Sequence, residues 1–201
     1  MSPADRFWCL RKNDKGVVRL MGMNEDVGEI LIPAEQIAQI VERMGKQISK
    51  DYQGKDLIMI SVLKGSLIFM ADLMRAIDVP CSIDFLSVTS YGAGTSTTGE
   101  VRILKDLDIS LEGKDVLVVE DILDSGMTLS FLLKSLQARH PKSIKLCTLL
   151  DKPERRRVDI KADYVGVQVP DKFIVGYGLD YAEKYRNLPY IAVLKPEIYS
   201  E

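Results

Sequence analysis

Apolar positions along this chain alternate between two patterns. Ile37, Ile40, Val41, Met44 and Ile48 recur at helical spacing, and Pro33 suits the first turn of that helix. Leu57 to Leu63 reads as a buried strand. Lys64-Gly65-Ser66 is a turn, and Ser66 is placed to cap a helix bearing Leu67, Met70, Leu73 and Met74. Cys81 to Thr89 is strand-like again. The polar, Gly/Ser/Thr-rich stretch Tyr91 to Gly99 follows, then Val101 to Leu104 as a returning strand, which together predict a hairpin with a long soft tip. Val116 to Val119 predicts another buried strand, and Leu129, Leu132, Leu133 and Leu136 the next helical stripe. Ile144 to Leu150, Tyr164 to Val169 and Ile191 to Leu194 predict the remaining strands.

Alternating strands and helices, with continuous apolar runs in the central strands, predict an α/β fold: a mostly parallel central sheet flanked by helices. In such sheets ligands bind beyond the carboxyl ends of the strands, here just after Leu63, Val119 and Leu150. The 201 residues fit one domain or one domain with a small appendage, and no repeat or long linker divides them.

Composition narrows the function class. A net charge of -2 offers no whole-surface attraction to nucleic acid or anionic membrane. No apolar stretch has bilayer-spanning length. Met1 to Arg6 carries charge early and has no signal-peptide core, so the expected location is the cytoplasm. Cys9, Cys81 and Cys147 are odd in number and far apart, which argues against a disulfide framework or a zinc site. The one histidine, His140, precedes Pro141 at a helix end, where a capping role suits it better than catalysis.

The chemistry concentrates in one stretch. After Val116-Leu117-Val118-Val119 come Glu120 and Asp121 at the strand end, then Asp124-Ser125-Gly126-Met127-Thr128 leading into a helix. Successive backbone N–H groups from Ser125 to Thr128 can converge on a phosphate at the helix N-terminus, with Gly126 allowing close approach. The Ser125 and Thr128 hydroxyls add donors, and Met127 needs to supply only its N–H. Glu120 and Asp121 suit sugar hydroxyls or a hard cation. The stretch is therefore suited to a phosphate, a vicinal diol and Mg²⁺, as in a ribose 5-phosphate.

Val118 to Thr128 resembles the phosphoribosyl-pyrophosphate signature of type I phosphoribosyltransferases, and the wider resemblance, over nearly the whole chain, is to hypoxanthine-guanine phosphoribosyltransferases. It implies a single domain over 1–201, with a small hood formed by the N- and C-terminal segments. Lys64 and Gly65 would grip pyrophosphate, often with a cis peptide before the Lys. A loop at about 90–100, opened by Ser90 and Tyr91, would close over the reacting centre. In Leu149-Leu150-Asp151-Lys152-Pro153, Lys152 would select 6-oxopurines by donating to O6. In Pro170 to Tyr181, Lys172 would face the purine, Phe173 would stack on it and the Ile174 backbone would read its edge. Asp180 would hold Mg²⁺ through water, with Glu120 and Asp121 as the other metal residues, and Arg186 would hold pyrophosphate. Arg155-Arg156-Arg157 reads as a solvated face or a subunit contact.

The resemblance further implies Asp124 as the catalytic base and phosphoribosyl pyrophosphate with hypoxanthine or guanine as substrates. It implies Mg²⁺ as cofactor and a homodimer or homotetramer, with the apolar Phe7-Trp8-Cys9-Leu10 available for an interface. The alternatives are an RNA-binding regulator on the same scaffold, which the net acidic charge argues against, and a xanthine-preferring or broad purine enzyme.

Overall fold

The computed structural model describes residues 8–12, 18–90 and 101–200. The chain folds as two compact units, residues 35–171 and a second formed by 1–34 with 172–201.

The larger unit is a six-stranded sheet. Its strands are β4 (Leu57–Leu63), β5 (Cys81–Ser90), β6 (Val101–Lys105), β7 (Asp115–Leu123), β8 (Ser143–Asp151) and β9 (Tyr164–Gln168). They lie in the order β6-β5-β4-β7-β8-β9. All neighbours run parallel except the β5–β6 hairpin. The tip of that hairpin, with Tyr91, falls outside the described residues. The helices α1 (Ala34–Asp51), α2 (Leu67–Ala76) and α3 (Met127–Gln137) form where the stripes predict helices. Ile37, Ile40, Val41, Met44 and Ile48 of α1 are all buried. Leu129, Leu132 and Leu136 of α3 pack with Ile58, Ile60, Val116, Val118 and Leu146 in one core cluster. Burial of Leu57–Val62 in β4 and of Val116–Val119 in β7 explains why these stretches are almost wholly apolar.

Chain order sets the place for a ligand. From β4 the chain moves outward to β5, then returns to add β7 on the other side of β4. The last β4–β7 pair is Ser61 with Val119, while β7 stays paired to β8 as far as Leu123 with Asp151. Beyond Val119, β7 has a partner on one side only. The two carboxyl ends therefore part at the switch point, where such sheets leave a crevice.

Three local expectations change. Glu120 and Asp121 lie inside β7 and do not end it, because pairing to β8 carries the strand on to Leu123. Ser66 does not cap α2: its hydroxyl donates to the Val62 carbonyl at 2.6 Å and pairs with the Ser61 hydroxyl at 2.8 Å, all buried. Leu67 is 46% exposed and Phe69, not part of the predicted stripe, is fully buried instead. His140 turns the chain after α3 with φ 57°, its backbone N–H donating to Gln137 O at 3.2 Å.

The smaller unit holds the hairpin β1 (Trp8–Lys12) with β2 (Val18–Gly22). Its other sheet has three strands, β3 (Val27–Ile32), β10 (Ile174–Val175) and β11 (Ile191–Leu194), in the order β10-β11-β3, and it ends in the short α4 (Pro196–Tyr199). Its core gathers Val27, Val175, Tyr185, Leu188, Ala192 and Leu194. Among the described residues no helix is long and apolar enough to cross a membrane.

Candidate functional site

Asp124 to Thr128 leave β7 and enter α3 through a left-handed residue. Gly126 has φ 79°, and a Cβ there would run into the side chains of Ile160 and Val158, so dihedral and space both require glycine. Met127 N–H donates to the Ser125 hydroxyl at 3.4 Å, and Gly126 O accepts from Ser130 N–H as the helix begins. Thr128 lies in the first turn of α3.

The residues 152–157, just past β8, strap the back of this loop. Lys152 N–H donates to Leu123 O at 3.0 Å, and Arg157 N–H donates to Ser125 O at 3.0 Å. The Arg156 guanidinium reaches Leu123 O at 3.0 Å, the Asp124 carbonyl, and the Asp151 carboxylate. This corrects the solvated-face reading for one of the three arginines. Arg157 is exposed and Arg155 half-exposed, but the Arg156 side chain keeps only 18% exposure. A run of like charges carries no sign of which member turns inward.

Asp124 is where the strap meets the loop. Arg155 Nε lies 3.2 Å from Asp124 Oδ1, close enough for an ion pair. It is not aligned as a hydrogen-bond donor, since that oxygen is enclosed and has no hydrogen-bond partner. Lys152 is buried at 5% exposure. Burial pushes its ammonium below the ordinary lysine range, opposed by the nearby Asp124 and Asp171 carboxylates and assisted by Arg155. Its Nζ is 3.9 Å from Asp171 Oδ1.

Glu120 is half-buried, and its Oε2 is closed off from solvent without a hydrogen-bond partner. Burial, then the Asp121 charge, pushes this carboxyl well above the ordinary range. The Asp121 carboxylate lies against the α-carbon of Gly65, where any Cβ would collide with it, and its Oδ1 accepts Ile122 N–H at 2.7 Å. Gly65 thus brings the turn after β4 onto the end of β7. The Leu63–Lys64 peptide is cis, as the resemblance implied.

The smaller unit holds the remaining candidates. Phe173 is 39% exposed. Tyr199 stacks on one face of its ring at 4.8 Å, and Tyr181 meets it edge-on at 5.6 Å. Ile174 is buried in β10, and the Lys172 ammonium donates to Glu29 Oε2 at 2.7 Å. Arg186 Nη2 lies 2.9 Å from Asp180 Oδ1, and Arg186 Nη1 donates to Gly178 O at 2.8 Å. Asp180 Oδ2 accepts Glu183 N–H at 2.9 Å, and the buried Arg186 Nε has no hydrogen-bond partner. Tyr177, Ala182, Glu183 and Tyr185 all have positive φ, between 49° and 75°. Four such non-glycine residues in one short segment store backbone strain where Asp180 and Arg186 sit. The sequence carries no signal for this.

No group of three or more metal-ligating side chains converges among the described residues. Glu120 and Asp121 nonetheless fit Mg²⁺. Both are hard oxygen donors, one has an unsatisfied enclosed oxygen, and Mg²⁺ commonly takes one or two carboxylates and completes its shell with water and substrate phosphates.

Residues 28–182 match the family model described as phosphoribosyl transferase domain. The hypoxanthine-guanine phosphoribosyltransferase of Staphylococcus aureus is 55% identical over 178 residues, covering 89% of this chain and 99% of that protein. A solved hypoxanthine phosphoribosyltransferase from the same organism superposes with a TM-score of 0.87 at 55% identity, covering 89% of this chain and 97% of that one. A Bacillus anthracis hypoxanthine-guanine phosphoribosyltransferase does so with a TM-score of 0.81 at 54% identity, over 84% of this chain and 99% of that one. Sequence, fold and the loop after β7 agree: the chain belongs to the phosphoribosyltransferase family, alongside the hypoxanthine-guanine phosphoribosyltransferases.

Proposed function

We propose that this protein is a purine-salvage enzyme. It transfers the 5-phosphoribosyl group of phosphoribosyl pyrophosphate to hypoxanthine or guanine, giving IMP or GMP and pyrophosphate. The observation that carries the reading is the last part of β7, past its final pair with β4, and the loop that follows. There an enclosed carboxylate oxygen of Glu120 lacks a donor, one short turn from a glycine-bearing loop that opens a helix. Ribose hydroxyls supply the donors that Glu120 lacks, and the phosphate suits the N–H groups of Ser125 to Thr128.

The reaction forms a bond between ribose C1 and a purine ring nitrogen and breaks the bond from C1 to the pyrophosphate oxygen. The purine sheds a proton as it bonds, and Asp124 takes it from N7; its Oδ1 has no aligned donor in competition. Lys64, Gly65 and Arg186 hold the departing pyrophosphate. Lys152 donates to the purine O6 and disfavours adenine, whose amino group offers only donors there. Phe173, which is 39% exposed, stacks on the base, and Lys172 and the Ile174 backbone meet its edge. Mg²⁺, held by Glu120 and Asp121 and through water by Asp180, would offset charge on the pyrophosphate. Ser90 and Tyr91 begin the loop that shields the reacting centre from water. The enzyme works in the cytoplasm as a homodimer or homotetramer, a state that light scattering reads directly.

The test mixes the protein with phosphoribosyl pyrophosphate, Mg²⁺ and, in turn, hypoxanthine, guanine, xanthine, adenine and uracil, and measures pyrophosphate and nucleotide. Product with hypoxanthine or guanine but not adenine is expected. Xanthine as the best base would keep the chemistry and revise the reading at Ile174. No product with any base would favour the RNA-binding regulator.

A further inference from the structure

We infer that Arg156 is a positioning residue that turns the N–H groups of the loop after β7 toward the ribose phosphate. The inference rests on the proposed phosphoribosyl transfer and deepens it.

A trans peptide is planar, so each C=O points opposite to the N–H of the next residue. Three successive carbonyls of the loop are drawn to the strap of residues 152–157. Leu123 O accepts from Lys152 N–H and from Arg156 Nη1, each at 3.0 Å. Asp124 O accepts from the same Arg156 Nη1. Ser125 O accepts from Arg157 N–H at 3.0 Å. The N–H groups of Asp124, Ser125 and Gly126 therefore all face away from the strap. Two of the three carbonyls accept from one guanidinium nitrogen, and the middle one has no other donor among the bonds that join loop and strap.

The guanidinium is itself held. Its Nη2 pairs with Asp151, whose side chain is only 12% exposed and sits at the end of β8, directly before Lys152. A planar fork can bridge two carbonyls and a carboxylate together, whereas an ammonium is a point donor without that fixed geometry. Arg156 also ties the Asp124 backbone to the strand end that carries Lys152.

Arg156→Ala and Arg156→Lys test this, each checked for folding by thermal melt before kinetics. Both are expected to raise the KM for phosphoribosyl pyrophosphate, about tenfold or more in the Ala variant and less in the Lys variant. The KM for hypoxanthine should stay within about twofold of wild type, and the dissociation constant for ribose 5-phosphate, measured by calorimetry on the folded protein, should weaken in parallel. The Lys variant keeps a cation for Asp151, so it tests the loop contacts even where the Ala variant melts too low for assay. Unchanged ribose 5-phosphate binding, or equal shifts in both KM values with a lowered melting temperature, would make Arg156 merely structural and overturn the inference. A wild-type protein without transferase activity would instead refute the proposed function.

Discussion

Two carboxylate regions of the same sheet are built in opposite ways. At the base of the β5–β6 hairpin, Asp84 is 4% exposed and well supplied with donors. It accepts N–H bonds from Phe85 at 2.7 Å, Asp108 at 2.7 Å and Ile109 at 3.1 Å, with Lys105 Nζ at 3.6 Å. Burial alone would raise its pKa, but the three N–H groups and Lys105 outweigh it and hold the carboxyl below the ordinary range. In the last part of β7, Glu120 Oε2 has no hydrogen-bond partner, and burial raises that carboxyl unopposed. Asp124 Oδ1, one short turn on, also lacks an aligned donor. Asp84 is saturated because it fastens the 105–109 connection to β5. The enclosed Glu120 Oε2 and Asp124 Oδ1 are left without hydrogen-bond donors, as suits the proposed site, whose donors belong to a ligand.

The sharpest test of this contrast is at Asp124. Asp124→Asn keeps shape and removes the proton acceptor, so kcat should fall by ~10²–10⁴ with little change in ribose 5-phosphate affinity. Steady-state rates with hypoxanthine, together with calorimetry, read the two quantities separately. An unchanged kcat would take the proton-accepting role away from Asp124.

The same contrast bears on what a sequence reveals. β4 and β11 were legible from short runs that are apolar at nearly every position, because burial on both faces writes itself into consecutive positions. β3 has no such mark. Gly28, Glu29 and Ile30 are exposed in its middle, and its register comes from a distant partner, Ile32 pairing with Ile191. β10 is two residues long, too short for any period. The candidates from Glu120 to Thr128 were legible because strand, acidic pair, small loop and helix are contiguous in the chain. Arg156 was not, since its acceptors are Leu123 and Asp124, more than thirty residues away. The left-handed Tyr177, Ala182, Glu183 and Tyr185 were hidden for another reason: none of these four is a glycine, so their dihedrals come from packing and hydrogen bonds and not from residue type.

Breaking the saturated region should cost stability and nothing else. Asp84→Asn puts an amide with one acceptor oxygen where three N–H groups and Lys105 converge. The loss is expected to be about 2–3 kcal/mol at neutral pH, read by urea unfolding, with activity per folded molecule unchanged. The pH dependence follows from the depressed pKa. The stability Asp84 supplies is present above the ordinary aspartate value of 3.8 and is lost as pH falls through the lower folded value, so the variant and wild type should converge in acid. A gap that persists at low pH would mean that packing, not the charge, fastens the hairpin.

The smallest effect is expected at Glu120 and has the opposite sign. A raised carboxyl pKa means that the folded protein holds its proton more tightly than the unfolded chain. Below the ordinary value of 4.5 the group then costs no stability. As pH rises from there through the folded value, ionising an enclosed and unpartnered carboxylate weakens the fold. Glu120→Gln removes that ionisation, so the variant should melt with wild type at acid pH and be more stable than it by about 1 kcal/mol at pH about 8. Ribose 5-phosphate should narrow the difference, because its hydroxyls supply wild type with the donors that Glu120 lacks while the amide accepts them less well. Melts at two pH values, each with and without the sugar phosphate, give all four numbers. A variant less stable than wild type at both pH values would mean that the glutamate is already satisfied in the free protein, and the contrast with Asp84 would fail.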